Sequence, residues 1–173
     1  MCGSKGAGSR TDFVDAQRLR RLYDALHHVH RTVATATDRN ALFTDICRTA
    51  VERAGFQSAW IGWYDAASDL IVPVAACGDD PSPGENLRIG IHAPPPGADA
   101  VATAFRSGRS AVCNDHRGRD RGVGSAMAVP IRLGTAVGGV LAVYGATVDE
   151  IQDDEIALIE ATAADVSLAL DRL

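Results

Sequence analysis

Residues 125–145, SAMAVPIRLGTAVGGVLAVYG, constrain this chain more than any other stretch. Two runs of small and β-branched residues flank Leu133-Gly134-Thr135-Ala136, the pattern of a β-hairpin. Side chains alternate in direction along a strand. Met127, Val129, Ile131 and Leu133 therefore share one face of the first run, and Ala126, Ala128, Pro130 and Arg132 the other. In the second run Val137, Gly139, Leu141 and Val143 alternate with Gly138, Val140, Ala142 and Tyr144. Each run offers a bulky face and a face of mostly small residues. The bulky face packs a core; the small one admits a closely packed helix or leaves space for a ligand. The hairpin reads as the centre of a sheet.

The 173 residues suit one domain with a full core. The net charge of -5 and the lack of a basic stripe exclude a nucleic-acid partner. Arg117, Arg119 and Arg121 alternate with Gly and Asp and read as a solvated loop. No apolar run is long enough to span a membrane, and Met1-Cys2-Gly3-Ser4-Lys5 lacks a secretory apolar core. A soluble cytoplasmic protein is the expectation, with no membrane partner. Cys2, Cys47, Cys77 and Cys113 show no CxxC spacing, which signals neither a zinc site nor a disulfide framework. Buried thiols are expected.

In chain order, residues 1–11 read as a Gly/Ser-rich disordered leader and 12–37 as an N-terminal signalling and dimerisation helix. Leu19, Leu22, Leu26, Val29, Val33 and Ala36 repeat at steps of three and four, a heptad stripe that packs on the domain or pairs with its copy. His27, His28 and His30 cluster there without a further ligand and read as a polar helix face. Asp38 is an N-cap for a second helix over 39–54, with Gly55 as its stop. Strands follow at 58–65 and 70–77, then a short one at 87–92. A Pro-rich connector leads to a helix over 98–106, a strand over 110–114 and a Gly/Arg-rich loop. After the opening hairpin, Asp153-Asp154-Glu155 start a last helix. Its stripe, Ile156, Ile159, Ala163, Val166, Leu170 and Leu173, runs to the final residue and suggests a helix that continues or pairs.

These pieces resemble the GAF domain, a small-molecule-sensing domain of bacterial signalling proteins. The matching segments are 38–43, 54–56, 104–109, 112–115, 125–130 and 138–141, within residues 38–173 taken as the domain with its C-terminal helix. The resemblance implies an α+β, PAS-related fold with a central antiparallel sheet of about six strands. Terminal helices pack on one face, and a pocket on the other is roofed by crossover segments, here 92–109 and 115–124.

Trp60-Ile61-Gly62-Trp63-Tyr64 is similar to a strand of the family's enzymatic branch, free methionine-(R)-sulfoxide reductase, in which Trp60 and Tyr64 fall on substrate-pocket positions. Ala126, Ala128, Ala142 and Tyr144 then face the pocket too, with Asp115 and His116 as polar anchors. The reductase chemistry needs a nucleophilic thiolate, a resolving thiol and nearby carboxylates. Residues 87–98 and 115–124 hold no cysteine, and Ala126 stands where that branch has Glu. Asp154-Glu155 fit the end of a cyclic-nucleotide motif, but Ile151 replaces its Phe.

The expectation is a non-catalytic sensor that binds an unidentified small molecule. It acts as a homodimer through its terminal helices and serves a fused or partner output domain (a kinase, cyclase or transcription regulator), as in two-component systems. The sequence leaves any cofactor unknown. A ligandless dimerisation module, its small-residue face filled by a helix, and the reductase remain as alternatives.

Overall fold

The computed structural model describes residues 8–78, 87–94, 98–113, 124–145 and 151–173. Helices α1 (Gly8–Thr35) and α2 (Arg39–Glu52) precede strands β1 (Ser58–Asp65), β2 (Leu70–Gly78) and β3 (Ile89–Gly90). Then come α3 (Asp99–Ser107), β4 (Ala111–Cys113), β5 (Ser125–Leu133), β6 (Ala136–Gly145) and α4 (Asp153–Leu170). The six strands form one antiparallel sheet in the order β3-β2-β1-β6-β5-β4. The β5–β6 hairpin pairs through β6 with β1, so the opening stretch and the first hairpin together make the sheet's middle.

Local chemistry sets the boundaries. The Asp38 carboxylate accepts from the Ala41 amide at 2.7 Å, capping α2 as its sequence promised. Gly55 at φ +89 turns the chain after α2, and Gly108 at φ +64 closes α3. Gln152 and Glu155 form a reciprocal capping box at the start of α4. α1 starts at Gly8 rather than Asp12, so residues 8–11 are helix and not leader. Once a helix is nucleated, each added residue gains a backbone hydrogen bond at little cost. The expected strand over 87–92 narrows to Ile89–Gly90, because only Leu70 and Ile71 are available to pair with it.

Two cores lie on the two faces of the sheet. The larger holds Met127, Val129, Ile131, Leu141 and Val143 against α1, α2 and α4. The bulky face of the hairpin therefore packs as read except at its turn end, where Leu133 is 49% exposed and Val137 changes face. The register shifts after Ile131, so that Arg132 pairs with Val137 and Gly138 is an extra residue. That bulge moves Val137 to the face of Arg132, away from Leu141 and Val143. The Trp63 indole lies across both glycines there. A Cβ at Gly138 would come within 2.6 Å of that ring, and one at Gly139 within 2.5 Å.

Both heptad stripes are largely consumed within the chain. Leu22, Ala25 and Val29 of α1 and Ile159, Ala163, Val166 and Leu170 of α4 are buried in the larger core. Leu19 is 42% exposed, and Leu173 lies past the end of α4 at 50% exposed. The α4 stripe that suggested pairing instead faces the chain's own sheet and helices. The two helices run parallel. Arg18 meets Asp154 at 3.3 Å, His30 meets Asp165 at 3.1 Å, and Arg172 donates to the Val33 carbonyl at 3.0 Å. The histidine cluster is thus dispersed, with His30 facing α4 while His27 is exposed.

Candidate functional site

The second face of the sheet carries the residues singled out for a ligand. Its rows follow from strand register. Ala111, Ala128, Ala142 and Trp60 form one row across β4, β5, β6 and β1, and Cys113, Ala126, Tyr144 and Ser58 the next. α3 lies on the first of these, where Val101 and Ala104 pack with Ala128, Val140 and Ala142. The alanine floor is therefore used for close helix packing along this part of the face. Small side chains let the helix backbone approach the sheet, and the filled arrangement accounts for their size there.

Trp60 is 1% exposed. Its ring lies over Gly62, where an added Cβ would meet the indole at 2.6 Å and Ile71 at 2.4 Å. Gly62 thus makes room for tryptophan rather than for a ligand. The indole N–H donates to the Tyr144 hydroxyl at 3.0 Å, giving a buried polar atom its partner. Trp60 is a wall element that fixes Tyr144.

Tyr144 and Ala126 are direct cross-strand partners and stand together. Tyr64 does not join them. It lies six residues along β1 from Ser58, the residue opposite Tyr144, a span of about 20 Å in an extended strand. Its ring stacks on Phe105 of α3 with centroids 4.8 Å apart, and its hydroxyl donates to Asp69 at 2.6 Å. That hydrogen bond to a carboxylate raises the Tyr64 phenol above its ordinary value. Asp69 is held at φ 59, a left-handed backbone rare outside glycine, in the β1–β2 turn. Asp115 and His116 lie outside the described residues.

Reasoning from sequence missed Phe105, Asp69 and Ser58 on this face. Phe105 and Asp69 fix Tyr64. Ser58 and Cys113 complete the row of Ala126 and Tyr144. The Ser58 hydroxyl is buried without a hydrogen-bond partner. Its signal was present, since residues 58, 60, 62 and 64 share parity on one strand.

The three described thiols are divided between the two faces of the sheet. Cys47 is buried in the helix-side core, where burial foremost, with Cys77 nearby, pushes its thiol up to about 12. Cys77 packs against that same core, whereas Cys113 stands in the row of Ala126 on the opposite face. Among the described residues no group of three or more His, Cys, Asp or Glu is placed to hold a metal ion. Among them, too, no helix is long and apolar enough to cross a membrane. Asp154 and Glu155, the partial cyclic-nucleotide signature, face Arg18 of α1.

A single six-stranded antiparallel sheet, with α1, α2 and α4 on one face and α3 on the other, defines an α+β domain of a recurrent kind. The chain belongs to the GAF domain family, whose model matches residues 36–171. Among solved structures it is similar to the GAF domain of a phosphoenolpyruvate-protein phosphotransferase from Coxiella burnetii. That match has 11% identity and TM-score 0.75, covering 88% of this chain and 94% of the other. It is also similar to free methionine-R-sulfoxide reductase from Neisseria meningitidis, solved with its substrate. Identity there is 18% and TM-score 0.74, with coverage of 87% and 90%. The nlh2 GAF domain of A. aeolicus in an inactive state matches at 12% identity and TM-score 0.68, covering 90% and 98%. At such identities the likeness shows the fold alone. None of the curated proteins compared with the chain matches it.

Proposed function

We propose that this GAF domain is a non-catalytic sensor or regulator, which binds a small molecule on the α3 face and signals through paired terminal helices. The observation that carries the reading is the parallel α1–α4 pair with a second seam left over on α1. The exposed Ala16, Leu19 and Tyr23 follow steps of three and four, beside the buried Leu22, Ala25 and Val29, and Leu26 at the end of the row is partly buried against the larger core. Tyr23 is 73% exposed on that seam. A second copy of the chain covers it in the proposed homodimer. Asp15 and Arg20 flank the seam at the spacing that pairs opposite charges between parallel helices.

The ligand sits at the end of the face that α3 leaves to Ala126 and Tyr144, with Trp60 bracing Tyr144. Asp115 and His116, two and three residues after β4, supply its polar anchors in this proposal, and Tyr64 braces the far end of α3. The output is a fused or partner kinase, cyclase or transcription regulator, in the manner of a two-component system, within the cytoplasm. Burial of Cys47 and the place of Cys113 on the opposite face speak against the reductase alternative. Disulfide chemistry needs an accessible thiolate next to a second thiol, and Cys47 is too buried to serve.

Native mass spectrometry of the purified protein, with an absorbance spectrum, tests the reading. A dimer carrying a co-purified small molecule is expected. An apo dimer that no metabolite fraction loads would replace the sensor with a ligandless dimerisation module. Consumption of methionine sulfoxide with a thiol reductant would replace it with the enzyme.

A further inference from the structure

α3 and α4 lie on opposite faces of the sheet, so a displacement of one reaches the other through the strands or around their end. Arg132 goes around the end. The Arg132 guanidinium donates through Nη2 to the Gly108 carbonyl, the C-cap of α3, at 3.0 Å. Its Nη1 reaches the Thr135 carbonyl of the β5–β6 turn at 3.4 Å. Its backbone N–H donates to Ser167 Oγ of α4 at 2.9 Å.

Two neighbouring bonds reinforce the junction. The Gly134 amide donates to Asp171 Oδ1 at 2.9 Å, and the Ser110 hydroxyl donates to the Glu160 carboxylate. Gly108 also has a steric role beside its left-handed backbone. A Cβ there would stand 2.9 Å from Arg132 Nη2, so glycine keeps the guanidinium in reach of the carbonyl. These residues line a groove of about 740 Å³ between α4 and the end of the hairpin, floored by Val129 and Ala163.

We infer that Arg132 is a coupling residue, which ties the position of α3 to that of the C-terminal half of α4. The guanidinium holds α3 by its last carbonyl, while the same residue's amide holds α4 by Ser167. A shift of α3 along the sheet therefore pulls on the turn, and the turn pulls on α4. Coupling of this kind is reciprocal, so loosening α4 must loosen the end of α3 by the same factor. The inference rests on the sensor reading for its purpose, and its test needs no ligand.

Native-state hydrogen exchange on the full chain measures it. Arg132→Met removes the guanidinium and leaves the amide bonded to Ser167. Exchange is expected to quicken about fivefold, the equivalent of one ordinary hydrogen bond, at Gly108 and also at the Asp171 amide in the last turn of α4. A Ser167→Ala/Asp171→Ala double variant should quicken exchange at Gly108 by a similar factor, though it touches nothing on α3. Arg132→Lys, with one donor group in place of a fork, should give the same pattern more weakly, and it serves if the Met variant fails to fold. Changes confined to the side that carries each substitution overturn the coupling. Such a result in a protein that still co-purifies a ligand rejects the coupling alone. Reciprocal exchange in a protein that binds nothing rejects the sensor reading and keeps the coupling.

Discussion

Tyr144 matters through what its oxygen does for Trp60. The indole N–H is sealed from water and has the phenol as its acceptor. Tyr144→Phe keeps the ring and orphans the donor, which costs about 1–3 kcal/mol. Urea denaturation should show the loss as a lower midpoint at unchanged slope. His28 works by charge. Burial foremost, then the Arg53 and Arg31 cations, holds it below its ordinary value of 6.5, with Asp45 opposing them. The unfolded chain therefore takes up this proton at higher pH than the folded one. Stability contributed by neutral His28 is whole above about pH 6.5 and is lost as pH falls from there toward the lowered folded value. His28→Asn should flatten the fall in urea midpoint between roughly pH 7.5 and 5.5. An equally steep fall in the variant would assign the dependence to other groups.

At the scale of elements, caps decide where helices begin and how firmly. Asp38 satisfies one of the free amides at the start of α2, so Asp38→Ala should cost about 1 kcal/mol, read from the thermal midpoint. Asp38, Gly55 and Gly108 were legible in sequence because their chemistry is local. An acceptor beside free amides and a residue tolerant of positive φ carry meaning without a partner. The bulge at Gly138 was not legible, and the glycine there lies against Trp63, seventy-five positions earlier. Nor could spacing tell the use of a heptad stripe. Steps of three and four bury Ile159 and Val166 in the chain's own core as well as they would in a coiled coil. The candidate site was half readable. Alternation put Ala126 and Tyr144 on the small-residue faces of their strands, and the family resemblance placed Trp60 with them, as the register bears out. Alternation could not reveal that Tyr64, on that same face, turns to Phe105 and Asp69, because distance along the strand is not a property of parity.

Across the whole molecule, the proposed homodimer turns on a seam that the folded chain leaves exposed. Leu19 and Tyr23 are outside both cores, so charging them should spare the fold. A Leu19→Asp/Tyr23→Asp double variant is expected to sediment as a monomer at concentrations where the parent chain is a dimer. Its circular dichroism should be unchanged. A parent chain that sediments as a monomer across the micromolar range would remove the seam from the account.

The same strand that anchors this architecture also makes it observable. β1 carries both of the chain's tryptophans, three positions apart and therefore on opposite sides of the sheet. Trp60 is enclosed and hydrogen-bonded beneath α3, whereas Trp63 stacks 4.2 Å beneath the Arg39 guanidinium beside α2. Light emitted by one reports on the α3 face, and light from the other on the helical face. With either one replaced by phenylalanine, the domain becomes a single-channel optical instrument. Events on its two sides can then be timed separately, without a label.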